Sequence, residues 1–551
     1  MMGSVFEKIG DRNPQFVREV KGRLKTFSIA LTFFLSLLMQ FLVYISNQRF
    51  DDSLQQNVSN WGGIFASINL FLIFSLLVCG TYQIISDISR EEHRGTLNFI
   101  RLSPQSEVSI LTGKILGVPI LLYLFIAIAI PFHFVSGIIA GISFFNILGF
   151  YIILASCACF VFSAATLLSL MTQNISSNSQ GFVAWLASAI VLGVLIFSYS
   201  ISESNISLNH AFAWLLILSP FGIDNYLMGD LANNIATIEL KQLQFFQIPV
   251  GINPLVLISI YLVNYAFWTC SIWHSIKRIF RNQNTTGFSK NYSYFFVATL
   301  QVLLWGFTLQ NQNFESNFDY SKISHQIQQN IPFFFLLNLM LVYWLMRLLS
   351  PQRQDILDWS RYRHLNRQYY QGEKHSLLKD LLLGEKSPSQ VAIAINLLLI
   401  IAPFIIYIIN SLFFEIDKID NLNLNIHHIN PSKSLLAIGC FFVLTIIYAT
   451  IYQRLAILPI SQPFSLAMRS ILLLNFIPSC ILMMMKIDPS QNPIPWLFST
   501  FPWFGFSASI PIIFIAFLSE IMILVICNLE FMNWIRRVGS SSTKKLSTAS
   551  G

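Results

Sequence analysis

Side chains able to do chemistry are sparse in this 551-residue chain, where 11% of residues are charged and 54% hydrophobic. The adjacent pair His427 and His428, in "NIHHINPSK", could seed a metal site of a membrane-embedded transferase or hydrolase. A zinc shell needs three or four converging ligands, and no acidic cluster stands nearby, so the pair reads as loop residues. All seven cysteines (Cys79, Cys157, Cys159, Cys270, Cys440, Cys480 and Cys527) lie within apolar runs, where a thiol behaves as a small buried hydrophobe. Cys157 and Cys159 form C-x-C, not the redox pair C-x-x-C. Neither a disulfide nor a metal is expected. Gly113-Lys114 lacks the earlier glycine of G-x-x-x-x-G-K-[ST] and is followed by Ile115, so no phosphate-cradling loop is encoded. Glu520 is the only clear acid inside an apolar run. An ionisable group at membrane depth costs about 2.5–3.5 kcal/mol on insertion scales. Glu520 is compatible with ion coupling, or with a place facing a wet cavity or the inner interface.

The elements that must hold these residues follow from composition. Soluble domains carry about 25% charge, so the chain is expected to be a polytopic membrane protein. A helix needs about 20 apolar residues to cross a bilayer. Such runs fall near 27–46, 61–85, 113–132, 145–171, 182–200 and 252–274, and after a basic gap near 292–310, 331–349, 390–412, 433–452, 467–485 and 503–528. The expected fold is all-α, with about twelve transmembrane helices in two six-helix halves. Its parts are a cytoplasmic amphipathic segment 1–26, a first half 27–280, a more divergent second half 281–530 and a cytoplasmic tail 531–551. The first run is nearer a full span than the short apolar core of a signal peptide, so no cleavage is expected.

Orientation comes from the flanks. Lys8, Arg12, Arg18, Lys21, Arg23 and Lys25 precede the first run and place the N-terminus in the cytoplasm. Later inner segments are basic as well, as at Lys277, Arg278 and Arg281, at Arg353 to Lys379, at Arg454, and at Arg536 and Arg537. Outer loops carry acids: Asp51 and Asp52; Glu203, Asp224, Asp230 and Glu239; Glu315 and Asp319; Glu415, Asp417 and Asp420. Both termini are then cytoplasmic. From Ile115 to Ser202 no Asp, Glu, Lys or Arg occurs, and only the parity of three crossings orients that region. The net charge of +8 is topological, and no nucleic-acid partner is expected. Asn-x-Ser/Thr triplets at Asn57, Asn174, Asn205 and Asn284 fall on both predicted sides and read as chance.

One connection stands out: "DISREEHRGTLNFIRLSPQSEVSILTGKILG", residues 87–117. The second run should continue as helix past the membrane surface through "SDISREEHR", and Gly95 should break it. Thr96 is suited to N-cap a short helix, "LNFIRL", and Ser103-Pro104 to stop it and open the third span. Leu97, Phe99, Ile100 and Leu102 would form an apolar contact face. On residues alone this is either an ordinary cytoplasmic connection or a docking element held rigid at both ends.

Acids followed by "GTL", a short apolar helix, then "LSP" and "GK" resemble the loop between spans two and three of type-2 ATP-binding cassette (ABC) exporter permeases. Upstream, "NPQFVREVKGRLKTF" resembles the helix that lies on the inner face before their first span. Here Asn13 and Pro14 suit its start, and Phe16, Val17, Val20, Leu24 and Phe27 share a face. The resemblance is specific over residues 12–120 and by span count extends to about 280. It implies that Glu91, Glu92 and Arg94 make polar contacts to the ATPase, with Thr96, Leu97, Phe99 and Ile100 at the docking surface. Gly95, Ser103 and Pro104 would set the shape. Lys114 would sit at the membrane boundary as a snorkelling anchor. None of these is catalytic.

The second half repeats the layout of the first, and "GEKSPSQVAIAINLLL" places Ser387-Pro388 where the first half has Ser103-Pro104. No acids-plus-"GTL" motif precedes Ser387, so a different or weaker docking mode is expected there. If both halves fold alike, one chain supplies the pseudo-two-fold unit that similar exporters build from two. Residues 206–230, "ISLNHAFAWLLILSPFGIDNYLMGD", are too short for two crossings. The resemblance implies re-entrant or interfacial helices here, and in the second half "NPIPWLFSTFPWFG" holds the corresponding place, with Trp496 and Trp503 suited to the interface belt.

The function expected is a permease subunit that is not itself an enzyme and binds no cofactor, with ATP and Mg carried by a separate ATPase, two copies suiting two halves. Membrane lipid is the other partner, and self-association is left open. The expected location is the plasma (inner) membrane of a prokaryote. The alternative is an ion-coupled secondary transporter of 6+6 architecture, since twelve spans suit that class also.

Overall fold

Asn13 starts the first helix as its type predicts: Oδ1 accepts the Phe16 N–H at 2.9 Å, and Pro14, which has no N–H to satisfy, opens α1 (Pro14–Arg23). A computed structural model shows this and describes residues 13–51, 56–172, 177–203, 214, 217–228, 240–241, 243–282, 285–309, 320–369, 377–416, 431–460, 462–488, 491–499 and 508–539. By chain contacts it divides into two compact units, Met1–Gln283 with Leu303–Phe333, and Asn284–Val302 with Phe334–Gly551.

In the first unit α2 (Thr26–Ser46) leads into an antiparallel hairpin, β1 (Gln48–Asp51) and β2 (Gln56–Ser59), with Gln48 opposite Ser59. The next helix is continuous from α3 (Trp61–Phe74) through one π-helical turn, Ser75–Cys79, into α4 (Gly80–His93). Then come α5 (Thr96–Arg101), α6 (Glu107–Gly117), α7 (Ile120–Ile139), α8 (Phe144–Met171), α9 (Ser177–Glu203) and α10 (Pro220–Met228). A two-residue pair, β3 (Gln244–Phe245) with β4 (Ile248–Pro249), precedes α11 (Pro254–Arg281). α8 is the hub, packed by α4, α10 and α11, while α2 lies on α7 and α1 on α6.

The second unit takes in the start of α12 (Lys290–Thr308) and the end of α13 (Tyr320–Leu349), followed by α14 (Arg353–Tyr369), α15 (Leu377–Leu383) and α16 (Gln390–Ile416). Then come α17 (Pro431–Ala456), α18 (Pro463–Met484), α19 (Ile494–Leu497) and α20 (Ile510–Gly539). Here α17 is central, packed by α16, α18 and α20.

Ten helices among the described residues are long and apolar enough to cross a bilayer: Thr26–Ser46, Trp61–His93, Ile120–Ile139, Phe144–Met171, Gly181–Ser200, Pro254–Arg281, Gln390–Ile409, Ser432–Ala456, Pro463–Met484 and Ile510–Ile535. The pair Phe333–Leu349 and Arg353–Arg361, bent by 63°, makes an eleventh if counted as one span. The chain is an all-α, multi-pass membrane protein. The run at 292–310 folds as α12, whose apolar sequence is interrupted by Lys290, Asn291 and Gln301.

Two local expectations are corrected. The third span starts at Ile120, not near 113, because Pro119 has no N–H to continue the ladder; α6 ends at Gly117 and is a separate segment. The inward face of α1 is also not purely apolar. Gln15, Val17, Glu19 and Val20 are buried together, whereas Phe27, on α2, is exposed. α1 packs on α6 at Gly113, where a Cβ would stand 2.5 Å from Asn13 Oδ1 and 2.8 Å from the Phe16 N. Gly117 lies against Glu19 in the same way. The spacing G-x-x-x-G brings two backbones together as small residues do between membrane helices.

Candidate coupling site

The connection from α4 to α6 is an elbow whose bends are set locally. α4 runs to His93 and ends in a left-handed Gly95 (φ 71°), whose N–H reaches the Glu92 carbonyl at 2.9 Å. This is the glycine terminator of a helix. Thr96 is not an N-cap: its Oγ1 donates back to the Glu91 carbonyl at 3.1 Å, and Gly95 holds the cap position of α5 without a side chain. Nor does Ser103-Pro104 start the next helix. Those residues lie in the turn, and Ser106 is the cap, with Oγ accepting the Ser109 N–H at 3.2 Å. Ser106 has the extended backbone that an N-cap needs.

α5 has an inner and an outer side. Leu97 is fully buried, so the expectation that it forms part of an exposed docking surface is corrected; Ile100 is half-buried. Phe99 (77% exposed) and Leu102 (84% exposed) form the outward apolar pair. Arg101 returns inward, paired with Glu92 at 3.3 Å and lying 5.7 Å over the Phe280 ring. From the end of α11, Arg281 grips the far side of the elbow, with Nε 2.8 Å from Glu107 Oε1 and an N–H to the Gln105 carbonyl at 3.1 Å.

Lys114 is the centre of the site and overturns the snorkelling expectation. It is fully buried, and Nζ lies 2.7 Å from Glu91 Oε2, 2.9 Å from Asp87 Oδ2 and 3.3 Å from Glu19 Oε1. Arg18 pairs with Glu91 and Arg23 with Asp87, and both also reach Glu19. The three carboxylates Glu19, Asp87 and Glu91 thus meet three cations, Lys114, Arg18 and Arg23. Burial acts to lower the Lys114 pKa, but Asp87, Glu19 and Glu91 outweigh it and hold it above the ordinary lysine value. The three acid groups converge closely enough to ligate a cation; the Lys114 ammonium already answers their charge. Glu91 and Glu92, expected to face the ATPase, are taken up inside the chain, and Arg94 is exposed.

In the second unit Ser387 and Pro388 are buried and locked by Lys290, whose Nζ donates to Ser387 Oγ at 2.6 Å, the Leu381 carbonyl at 2.8 Å and the Pro388 carbonyl at 3.0 Å. Burial pushes the Lys290 pKa down to about 8, with Asp380 and Glu385 opposing. Ahead of this lock stands α15, "LLKDLLL", with Leu378 exposed (66%). A short helix with an outward apolar residue therefore precedes Ser-Pro in both units, although no acids-plus-"GTL" motif of the kind that made α5 visible in the sequence stands ahead of Ser387.

Besides Glu19 in the clasp, two more acids among the described residues are buried. Glu520, on α20, is fully buried; neither oxygen has an N–H or O–H donor among the described residues, and the Cys440 thiol is its polar neighbour. Asp224, expected in an outer loop, is instead 4% exposed on α10 and accepts from Asn69 Nδ2 at 2.7 Å. Burial pushes its pKa up to about 8. The reason is local: the sequence "LLILSPFGIDNYLM" is apolar on both sides of the acid, and α10 packs on α8 and α9. The lone Asn69 inside an apolar span was the signal available to find it. Trp496 is buried against the chain, with Nε1 donating to the Ile487 carbonyl at 3.2 Å. Trp503, His427 and His428 lie outside the described residues. No family model, curated protein or solved structure matches the chain.

Proposed function

We propose that this chain is the membrane-spanning permease subunit of an ATP-driven exporter similar to the type-2 ABC permeases, forming the translocation path and coupling to a separate ATPase through the elbow. The observation that carries the reading is the exposure of Phe99 and Leu102 on a one-to-two-turn helix fixed at both ends. An apolar pair on a loose loop would yield under load. Here Leu97, the Glu92–Arg101 pair and the Arg281–Glu107 pair tie it to α4, α6 and α11. Displacement of the pair would reach the second and sixth spans directly, and the third through α6.

The full reading has twelve spans in two fused six-helix halves, 27–280 and 281–530, with both termini in the cytoplasm of a prokaryotic cell and the spans in its plasma (inner) membrane. ATP and Mg belong to the partner, in two copies, the second meeting α15 through Leu378. Purification of the intact chain in mild detergent tests this. A co-purifying polypeptide with a G-x-x-x-x-G-K-[ST] loop, lost on Phe99→Asp/Leu102→Asp, is the expected outcome. A monodisperse chain without an ATPase, whose transport collapses with the proton gradient, would contradict it.

That second outcome belongs to the alternative, an ion-coupled secondary transporter. Its supporting observation is that each unit buries one carboxyl group, Asp224 and Glu520, with no cation beside it among the described residues.

A further inference from the structure

Asp224 sits where, among the described residues, no cation answers the charge of an ionised carboxylate. Its one polar partner among the described residues is Asn69, which is itself fully buried and whose Oδ1 has no partner. α3, which carries Asn69, has no titratable residue. α8 and α9, packed against α10, carry no Asp, Lys or Arg; their titratable groups are Tyr151, Cys157, Cys159, Tyr199 and, at the last position of α9, Glu203. Tyr151 is bonded to His133, Tyr199 packs edge-on against Phe221, and Tyr226, on α10 itself, donates to the Gly251 carbonyl.

A buried acid with only a neutral amide for company neutralises itself by taking up a proton. The neutral form also fits its partner better. A carboxylic acid offers one acceptor and one donor, and a primary amide offers the converse. The Asp224 carbonyl then keeps the Asn69 N–H, and its O–H is available to the orphaned Asn69 Oδ1. The ionised form leaves Oδ1 facing a second acceptor.

We propose that Asp224 and Asn69 form a proton-binding site, a carboxylic acid–amide pair that holds its proton in this conformation and exchanges it with water when α10 moves away from α3. The proton adds to the carboxylate oxygen not engaged by Asn69 Nδ2 and leaves from the same atom, so no other group changes. The site stands whether ATP or an ion gradient drives transport.

Infrared spectroscopy of the full chain in detergent, with and without carboxyl-13C aspartate, tests it. At neutral pH a label-shifted carbonyl band of a protonated carboxylic acid is expected, absent in Asp224→Asn. In Asn69→Leu the band should persist at higher frequency, because its hydrogen-bond partner is gone. Absence of a labelled acid band in the unsubstituted chain, or its persistence in Asp224→Asn, would overturn the proposal. Thermal unfolding supplies a second readout. The folded acid is raised to about 8 from 3.8, so its stabilising share is full below the lower value and is lost as pH rises toward the upper one. Relative to Asp224→Asn, the unfolding equilibrium should worsen by up to about tenfold per pH unit across that window. A pH-independent difference would contradict the site.

Discussion

Lys114 Nζ lies 2.7 Å from Glu91 Oε2, so α6 is pinned to the end of the second span by a buried ion pair. Asp87 and Glu19 complete the clasp and bring α1 into it. The clasp therefore joins three segments distant in sequence just below the elbow.

Lys114→Met keeps the stem and removes the charge, leaving three carboxylates facing one another beside two arginines. Removing one partner of a buried ion pair costs about 3–5 kcal/mol, and thermal unfolding in detergent should show a loss of that order. Lys114→Arg should recover part of it. A fully stable Lys114→Met chain would contradict the clasp.

Gly95 and Gly113 should fail for different reasons. Gly95 needs its positive φ but has open space where a Cβ would sit, so Gly95→Ala should cost about 1–2 kcal/mol of backbone strain and leave α1 in place. Gly113→Ala would push on Asn13 and the Phe16 backbone and should release α1, read as new protease cleavage before Thr26.

Leu97 and Phe99 are two residues apart and predict opposite outcomes. Leu97→Asp buries an unpaired charge and should destabilise the fold by several kcal/mol. Phe99→Asp and Leu102→Asp, on exposed side chains, should change the unfolding free energy by no more than the usual surface range of about ±0.5 kcal/mol while removing ATPase association. Equal loss of stability in both sets would show that α5 has no outward face.

Lys290→Met should leave Ser387 Oγ and the Leu381 and Pro388 carbonyls without their shared donor. Unsatisfied buried polar groups cost about 1–3 kcal/mol each, and the loosened segment should show faster amide exchange over 377–389. Unchanged exchange there would exclude a locking role.

Much of the elbow was legible because its signals are local. Gly95 had to break a helix crowded with solvated residues, and Asn13-Pro14 had to start one. The side to which α5 turns Leu97 was not legible, since a six-residue helix lacks a periodic pattern long enough to choose a face. Lys114 was misread because a basic residue beside an apolar run fits the membrane boundary unless three carboxylates, up to 95 residues away in sequence, converge on it. Asp224 was missed for the same reason: its partner Asn69 lies 155 residues earlier, and an acid between long apolar runs reads as loop.

Photocrosslinking in the native membrane decides whether Phe99 and Leu102 meet an ATPase, as proposed. A photoreactive residue at Phe99 or Leu102 is predicted to capture a polypeptide carrying a phosphate-binding G-x-x-x-x-G-K-[ST] loop, while the same residue at buried Leu97 captures only the chain itself. Crosslinks from Phe99 and Leu102 to lipid alone, or to no other molecule, would contradict the account.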